Sequence, residues 1–162
     1  MSKDICIITT GGTIDKVYFD ANSKFEVGTP VISQILDEAL VTLDYRVLTL
    51  FQKDSLEITD QDRAEVHTAV RSCSEKRILI THGTDTMTQT GLALGDIPGK
   101  TIVLTGSLSP ARFRSTDAVF NIGMALGAVQ SKPAGVYICM NGKVFDIDKV
   151  DKDLEKMQFV DK

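Results

Sequence analysis

The chain has 162 residues, of which 43% are hydrophobic and 25% charged, the size and balance of one folded domain that buries about 70% of its unfolded surface. Its net charge of −4 arises from 18 basic and 22 acidic residues with no basic block, which excludes nucleic acid and anionic membrane as expected partners. No apolar stretch approaches the ~20 residues that span a bilayer, and Thr9-Thr10-Gly11-Gly12 interrupts any leader-like apolar run too early.

In chain order, Ile5-Cys6-Ile7-Ile8 reads as a buried strand that ends near Thr10 and runs into Gly11-Gly12-Thr13-Ile14. Residues 13–28 have little periodicity and contain Asp15, Lys16, Asp20, Asn22, Ser23 and Gly28, so a long loop is expected. Loops above about 12 residues often form active-site lids. Thr29-Pro30 reads as the cap and first turn of a helix with Val31, Ile35, Leu36, Ala39 and Leu40 on its apolar face. A strand over 45–51 leads into Gln52-Lys53-Asp54-Ser55-Leu56. Thr59, with Asp62 following it, opens the next helix like a capping box, and that helix runs to about 72.

A third strand over 77–81 ends in His82-Gly83-Thr84-Asp85-Thr86-Met87. A helix reaching residue 94 follows, with Thr84 or Asp85 as its candidate cap. The strand over 101–104 ends in Thr105-Gly106-Ser107, and a helix over 116–129 packs through Ala118, Ile122, Ala125 and Leu126. After a strand over 135–140, Asn141-Gly142 signals a hairpin with Val144-Phe145, and the tail from Asp146 is rich in Asp and Lys.

Strands and helices thus alternate without an internal repeat. The expected fold is α/β: a Rossmann-like or flavodoxin-like three-layer sandwich with a mostly parallel sheet and a C-terminal β-hairpin, forming a single domain over 1–162. In such a sheet the loops leaving the carboxyl ends of the strands line one crevice. Here they bring threonine hydroxyls, a carboxylate and glycine-exposed amides, the components of acyl transfer. Taken singly, a glycine pair after a strand also serves as a plain tight turn. Gly95 to Thr101 has the look of a phosphate loop, but it has one residue too few and precedes a strand. There is no G-x-G-x-x-G. The two histidines, His67 and His82, and the three spaced cysteines, Cys6, Cys73 and Cys139, offer no ligand spacing for a transition metal. No cofactor is therefore expected. His67 reads as a surface residue, His82 as packed beneath its turn, and the cysteines as packed thiols of a reducing, cytoplasmic compartment.

Thr10-Gly11-Gly12-Thr13-Ile14 followed by His82-Gly83-Thr84-Asp85-Thr86-Met87 resembles the paired signatures of the bacterial-type L-asparaginases. The resemblance extends over essentially the whole chain. It implies an amidohydrolase that splits L-asparagine into L-aspartate and ammonia through an acyl-enzyme on Thr13. Thr84, Asp85 and Lys152 are the implied relay, and the substrate is held by Gly12, Asp54, Ser55, Gly83, Thr84 and Asp85. Ser55 takes the α-carboxylate and Asp85 attracts the α-ammonium. Without that registration, Lys152 reads as a solvated tail lysine and Ser55 as a turn residue. Three departures stand out. Phe25 falls where the family's loop has a tyrosine, leaving Tyr18 or no residue in that role; Leu56 replaces a polar residue; and the 162 residues stop where the family's linker to a second domain would begin, as either a short form or a fragment would. Two alternatives therefore stay open: a glutaminase or other amidase, and a non-catalytic amino-acid-binding protein. A small-molecule substrate and a homodimer or higher homo-oligomer are expected, because the crevice lacks a wall.

Overall fold

Seven residues in a row, Ile5–Gly11, are buried and form β1. Such near-continuous apolar burial belongs to a parallel strand covered on both faces. In the computed structural model, which describes residues 3–19 and 24–162, the chain continues through β2 (Lys16–Phe19), β3 (Lys24–Val27), α1 (Ile32–Glu38) and β4 (Tyr45–Lys53). It then runs through α2 (Asp60–Ser72), β5 (Arg77–Thr81), α3 (Met87–Ala93), β6 (Thr101–Thr105) and α4 (Ala118–Ser131). β7 (Gly135–Met140), β8 (Lys143–Asp146), β9 (Val150–Asp153) and β10 (Gln158–Asp161) complete it.

The central sheet has the order β4-β1-β5-β6-β7-β8. All neighbours pair in parallel except β8, which returns antiparallel on β7 through the Asn141-Gly142 turn. This is the expected doubly wound α/β fold. Its strand order reverses at β1, and the crevice beyond the carboxyl ends of β1 and β5 is the topological switch point where ligands bind in such sheets. Side chains alternate across β1. Cys6 and Ile8 join a core with Val66 and Val70 of α2 and Met87 of α3. Ile5 and Ile7 join the opposite core with Ile32 and Leu36 of α1 and Ala118, Ile122 and Ala125 of α4. Thr59 caps α2 with the full reciprocal box to Asp62, an arrangement worth about 1 kcal/mol. Among the described residues, no helix is long and apolar enough to cross a membrane.

Three local expectations are corrected. The segment read as a loop over 13–28 holds a 3-10 turn at Thr13–Asp15 and an antiparallel ribbon of β2 and β3; residues 20–23, with Asp20, Asn22 and Ser23, lie outside the described residues. Tyr18 and Phe25 face each other across this ribbon with ring centroids 5.3 Å apart, and Phe25 meets Phe113 at 5.4 Å. Aromatic pairing between distant residues stabilises a ribbon that lacks clear local periodicity. Helix α1 starts at Ile32 rather than at Thr29, because the Val31 N–H is satisfied by the carboxylate of Asp15 at 3.0 Å. Leu40 leaves that helix face, at φ 54° and 84% exposed. The cap of α3 is Thr86 rather than Thr84 or Asp85, and it makes no side-chain capping bond.

The charged tail is also structured. A 3-10 turn at Ile147–Lys149 leads into the β9–β10 hairpin. Val150 and Phe159 are buried against the α2–α3 side of the sheet. The Phe159 N–H donates to Asn141 Oδ1 at 2.8 Å, so the hairpin is fastened both to the core and to the β7–β8 turn. Lys152 lies on β9, opposite Phe159.

Candidate functional site

Glycine lets three strand ends meet. Gly12 has φ 88°, and a Cβ placed on it would stand 2.4 Å from the Gly83 nitrogen. A Cβ on Gly83 would stand 2.5 Å from Ser55 Cβ. Neither position tolerates a side chain, since the turns after β1, β4 and β5 abut there. The Gly12 N–H donates to the Lys53 carbonyl at 2.9 Å. It is thereby removed from the pool of oxyanion donors, and what Gly12 contributes is the close approach itself. Thr10 Oγ1 donates to the Thr81 carbonyl at 2.8 Å, locking β1 to β5 just before both turns. Thr13 follows Gly12 directly and is half-buried at the head of the 3-10 turn.

On the β5 side, Lys152 Nζ donates to Thr84 Oγ1 at 2.8 Å and to Asp85 Oδ1 at 2.6 Å. The Lys152 side chain is 4% exposed, and that of Asp85 is 36% exposed. A buried ammonium is tolerated only when paired and hydrogen-bonded, and these two partners meet that condition. Because Thr84 Oγ1 accepts from the lysine, its own proton remains available to the crevice. Ser55 is buried; its Oγ accepts from the Asp85 N–H at 3.2 Å and its carbonyl accepts from Thr86 Oγ1 at 2.7 Å. Its hydroxyl proton is likewise left to donate elsewhere.

The structure therefore gathers Gly12, Ser55, Gly83, Thr84, Asp85 and Lys152 through direct contacts, with Thr13 entering beside Gly12. Asp54 is engaged differently. Its Oδ1 accepts from the Leu56 N–H at 3.1 Å, and Lys16 Nζ sits 2.9 Å from Oδ2. Partial burial pulls this carboxyl up, but the Lys16 ammonium and the Leu56 N–H outweigh it and hold it below its ordinary range. Lys16 was not singled out from sequence; it bridges the β2–β3 ribbon to the turn after β4. A cavity of about 540 Å³ opens next to it, lined in part by Phe25, Asp54, Leu56 and Glu57.

His82 is fully buried, with Nδ1 2.6 Å from the Gly83 carbonyl and Nε2 2.8 Å from Thr90 Oγ1. Burial pulls it down to about 4. It is a neutral strut under the turn, as expected, and not a base. His67 is more than a surface residue: its Nε2 lies 2.7 Å from Asp96 Oδ1.

Sequence reasoning missed Asp15, two positions after Thr13. It is 2% exposed, its Oδ1 accepts from Val31, and its Oδ2 has no partner among the described residues. Burial pushes this carboxyl up to about 6, against the Val31 N–H and the nearby Arg112 guanidinium, which pull it down. The fold thus favours the neutral form. This contribution to stability is complete below about pH 4 and is lost as pH rises through about 6. Asp15→Asn should therefore gain about 3 kcal/mol over the native chain at pH 8 and almost nothing at pH 3.5. Urea unfolding at the two pH values checks it; equal gains at both would contradict the buried-carboxyl account.

The family model described as "Asparaginase, N-terminal" matches residues 4–156. A glutaminase-asparaginase of Acinetobacter glutaminasificans is 30% identical over 170 residues, covering 94% of this chain and 50% of that protein. An L-asparaginase of Bacillus licheniformis is 30% identical over 168 residues, with the same two coverages of 94% and 50%. Among solved structures, the thermostable L-asparaginase from Thermococcus kodakarensis superposes with a TM-score of 0.83 at 26% identity, over 97% of this chain and 50% of that one. The chain spans about half the length of the curated relatives it matches.

Proposed function

The chain belongs to the asparaginase family, matching its N-terminal domain, and from that premise we propose that it is an amidohydrolase that releases ammonia from L-asparagine through Thr13. The observation that carries this reading is the buried Lys152 ammonium held between Thr84 Oγ1 and Asp85 Oδ1, in the crevice that Thr13 enters. Thr13 Oγ1 attacks the side-chain amide carbon, the C–N bond breaks, and the nitrogen leaves as ammonia after gaining a proton. Water then attacks the ester, releasing the acid and restoring the Thr13 hydroxyl. Thr84, polarised by Lys152, exchanges the proton on the crevice side. Ser55 donates to the α-carboxylate, and Asp85, one-third exposed, receives the α-ammonium.

A second substrate reading is favoured by one feature. Leu56, next to Ser55, is 75% exposed on the rim of the adjoining cavity, which leaves room for glutamine or an amide on a larger carrier. A coupled ammonia assay over L-asparagine, L-glutamine and D-asparagine tests both. We expect L-asparagine to give the highest kcat/KM. Turnover of glutamine alone would shift the assignment to the second reading, and no ammonia from any amide would overturn hydrolysis altogether.

A further inference from the structure

Away from the crevice, two of the three cysteines meet. Cys6 lies near the start of β1 and Cys73 at the C-cap of α2, yet their sulfurs are 3.4 Å apart. The third, Cys139, is buried on β7 in the opposite core. A disulfide has a sulfur separation of about 2.05 Å, so closure requires an approach of roughly 1.4 Å. That movement can come from Cys73, which follows the last turn of α2, and need not disturb β1, which is paired on both sides.

The surroundings distinguish the two thiols. Cys73 is 7% exposed and Cys6 fully buried. Arg46 Nη2 lies 3.4 Å from Cys73 Sγ and donates toward it. Burial and the neighbouring Cys73 push the Cys6 thiol up to about 12. Exposure thus selects Cys73 as the sulfur that meets an oxidant first. The trio Cys6, Cys73 and Glu75 also has the compactness of a metal site, with ligand atoms within 4.8 Å of one another. However, Arg46 holds both Glu75 oxygens, at 2.8 and 3.0 Å, and a metal ion would have to share that spot with a guanidinium.

We propose that Cys73 and Cys6 form a peroxide-oxidisable pair, in which Cys73 is oxidised first and Cys6 resolves it to a disulfide. The Cys73 thiolate attacks one oxygen of hydrogen peroxide, the O–O bond breaks, and hydroxide leaves and takes up a proton as water. The Cys6 sulfur then attacks the Cys73 sulfenic acid, its S–OH bond breaks, and a second water departs. Overall, two thiols are oxidised and one peroxide is reduced to two waters. The bond ties β1, which leads to Thr13, to α2, which starts just beyond Ser55, and it stands independently of the reaction assigned to the crevice.

The test uses the wild-type chain, reduced, freed of reductant and treated with hydrogen peroxide. Alkylation under denaturing conditions should find the free thiols reduced from three to one, with a Cys6–Cys73 linked peptide about 2 Da lighter than its two thiol halves. In Cys6→Ser, dimedone should label Cys73; in Cys73→Ser, it should leave Cys6 unlabelled. Three alkylatable thiols after peroxide, first oxidation at Cys139, or an intermolecular bond would overturn the proposal. So would equimolar zinc binding that blocks oxidation and is reversed by EDTA, since that outcome assigns the trio to a metal. Should either variant fail to fold, the wild-type peptide map decides.

Discussion

Thr13→Ala is expected to lower ammonia release by about 10⁴-fold or more, the scale on which removal of an acyl-transfer nucleophile is felt. Substrate affinity, read by calorimetry, should stay within a few-fold. The substitution removes one hydroxyl and one methyl from a half-buried residue at the head of a 3-10 turn. The groups assigned to the substrate's charges, Ser55 and Asp85, are untouched. The backbone of the turn is fixed independently of the threonine side chain by the Gly12–Lys53 and Asp15–Gly12 hydrogen bonds. The loss should therefore fall on kcat and spare KM. Retention of more than a few percent of turnover would move the covalent role elsewhere, with Thr84 the next hydroxyl in the crevice.

Lys152→Met should lower kcat by about 10²–10⁴, the range for loss of a general acid–base partner. Methionine keeps the length of the stem but removes the ammonium from Thr84 and Asp85, both of which it contacts directly. Lys152→Arg should not recover the rate, because a planar fork does not fit a site built around a point charge 4% exposed. Asp85→Asn should be similarly damaging. Combining it with Lys152→Met should cost far less than the two losses together, as for groups that act as one unit. Because a buried pair is being broken, the unfolding midpoint of each variant is measured alongside, and rates are compared well below it. A lysine that merely supported the hairpin would lower that midpoint and leave the rate unchanged.

These variants bear on how far the site was legible without coordinates. The two glycine-threonine stretches stood out because each ends a β-branched run, and a parallel sheet sends such ends to one edge. Ser55 and Lys152 had no local signal. Each became a candidate only through its registration to a family, and the contacts that bring them to the crevice join residues far apart in the chain. Lys152 shows this most plainly: in its window it is one charge among many, but Phe159 and Val150 beside it are anchored in the core, which turns its side chain inward.

The sequence by itself determined the elements whose signals lie within a few residues: the apolar strands, the Thr59–Asp62 cap, the Asn141-Gly142 hairpin and the apolar face of α4. Such signals reflect backbone preferences and side-chain periods that operate between near neighbours. Only the tertiary structure decided what depends on distant groups. The β2–β3 ribbon rests on Tyr18, Phe25 and Phe113 meeting, and the start of α1 is set by a carboxylate from Asp15. The Cys6–Cys73 contact joins a strand to a helix end. Burial of Asp15 and Lys152 belongs with these, because the cost of a charge depends on everything that surrounds it and not on its neighbours in the chain.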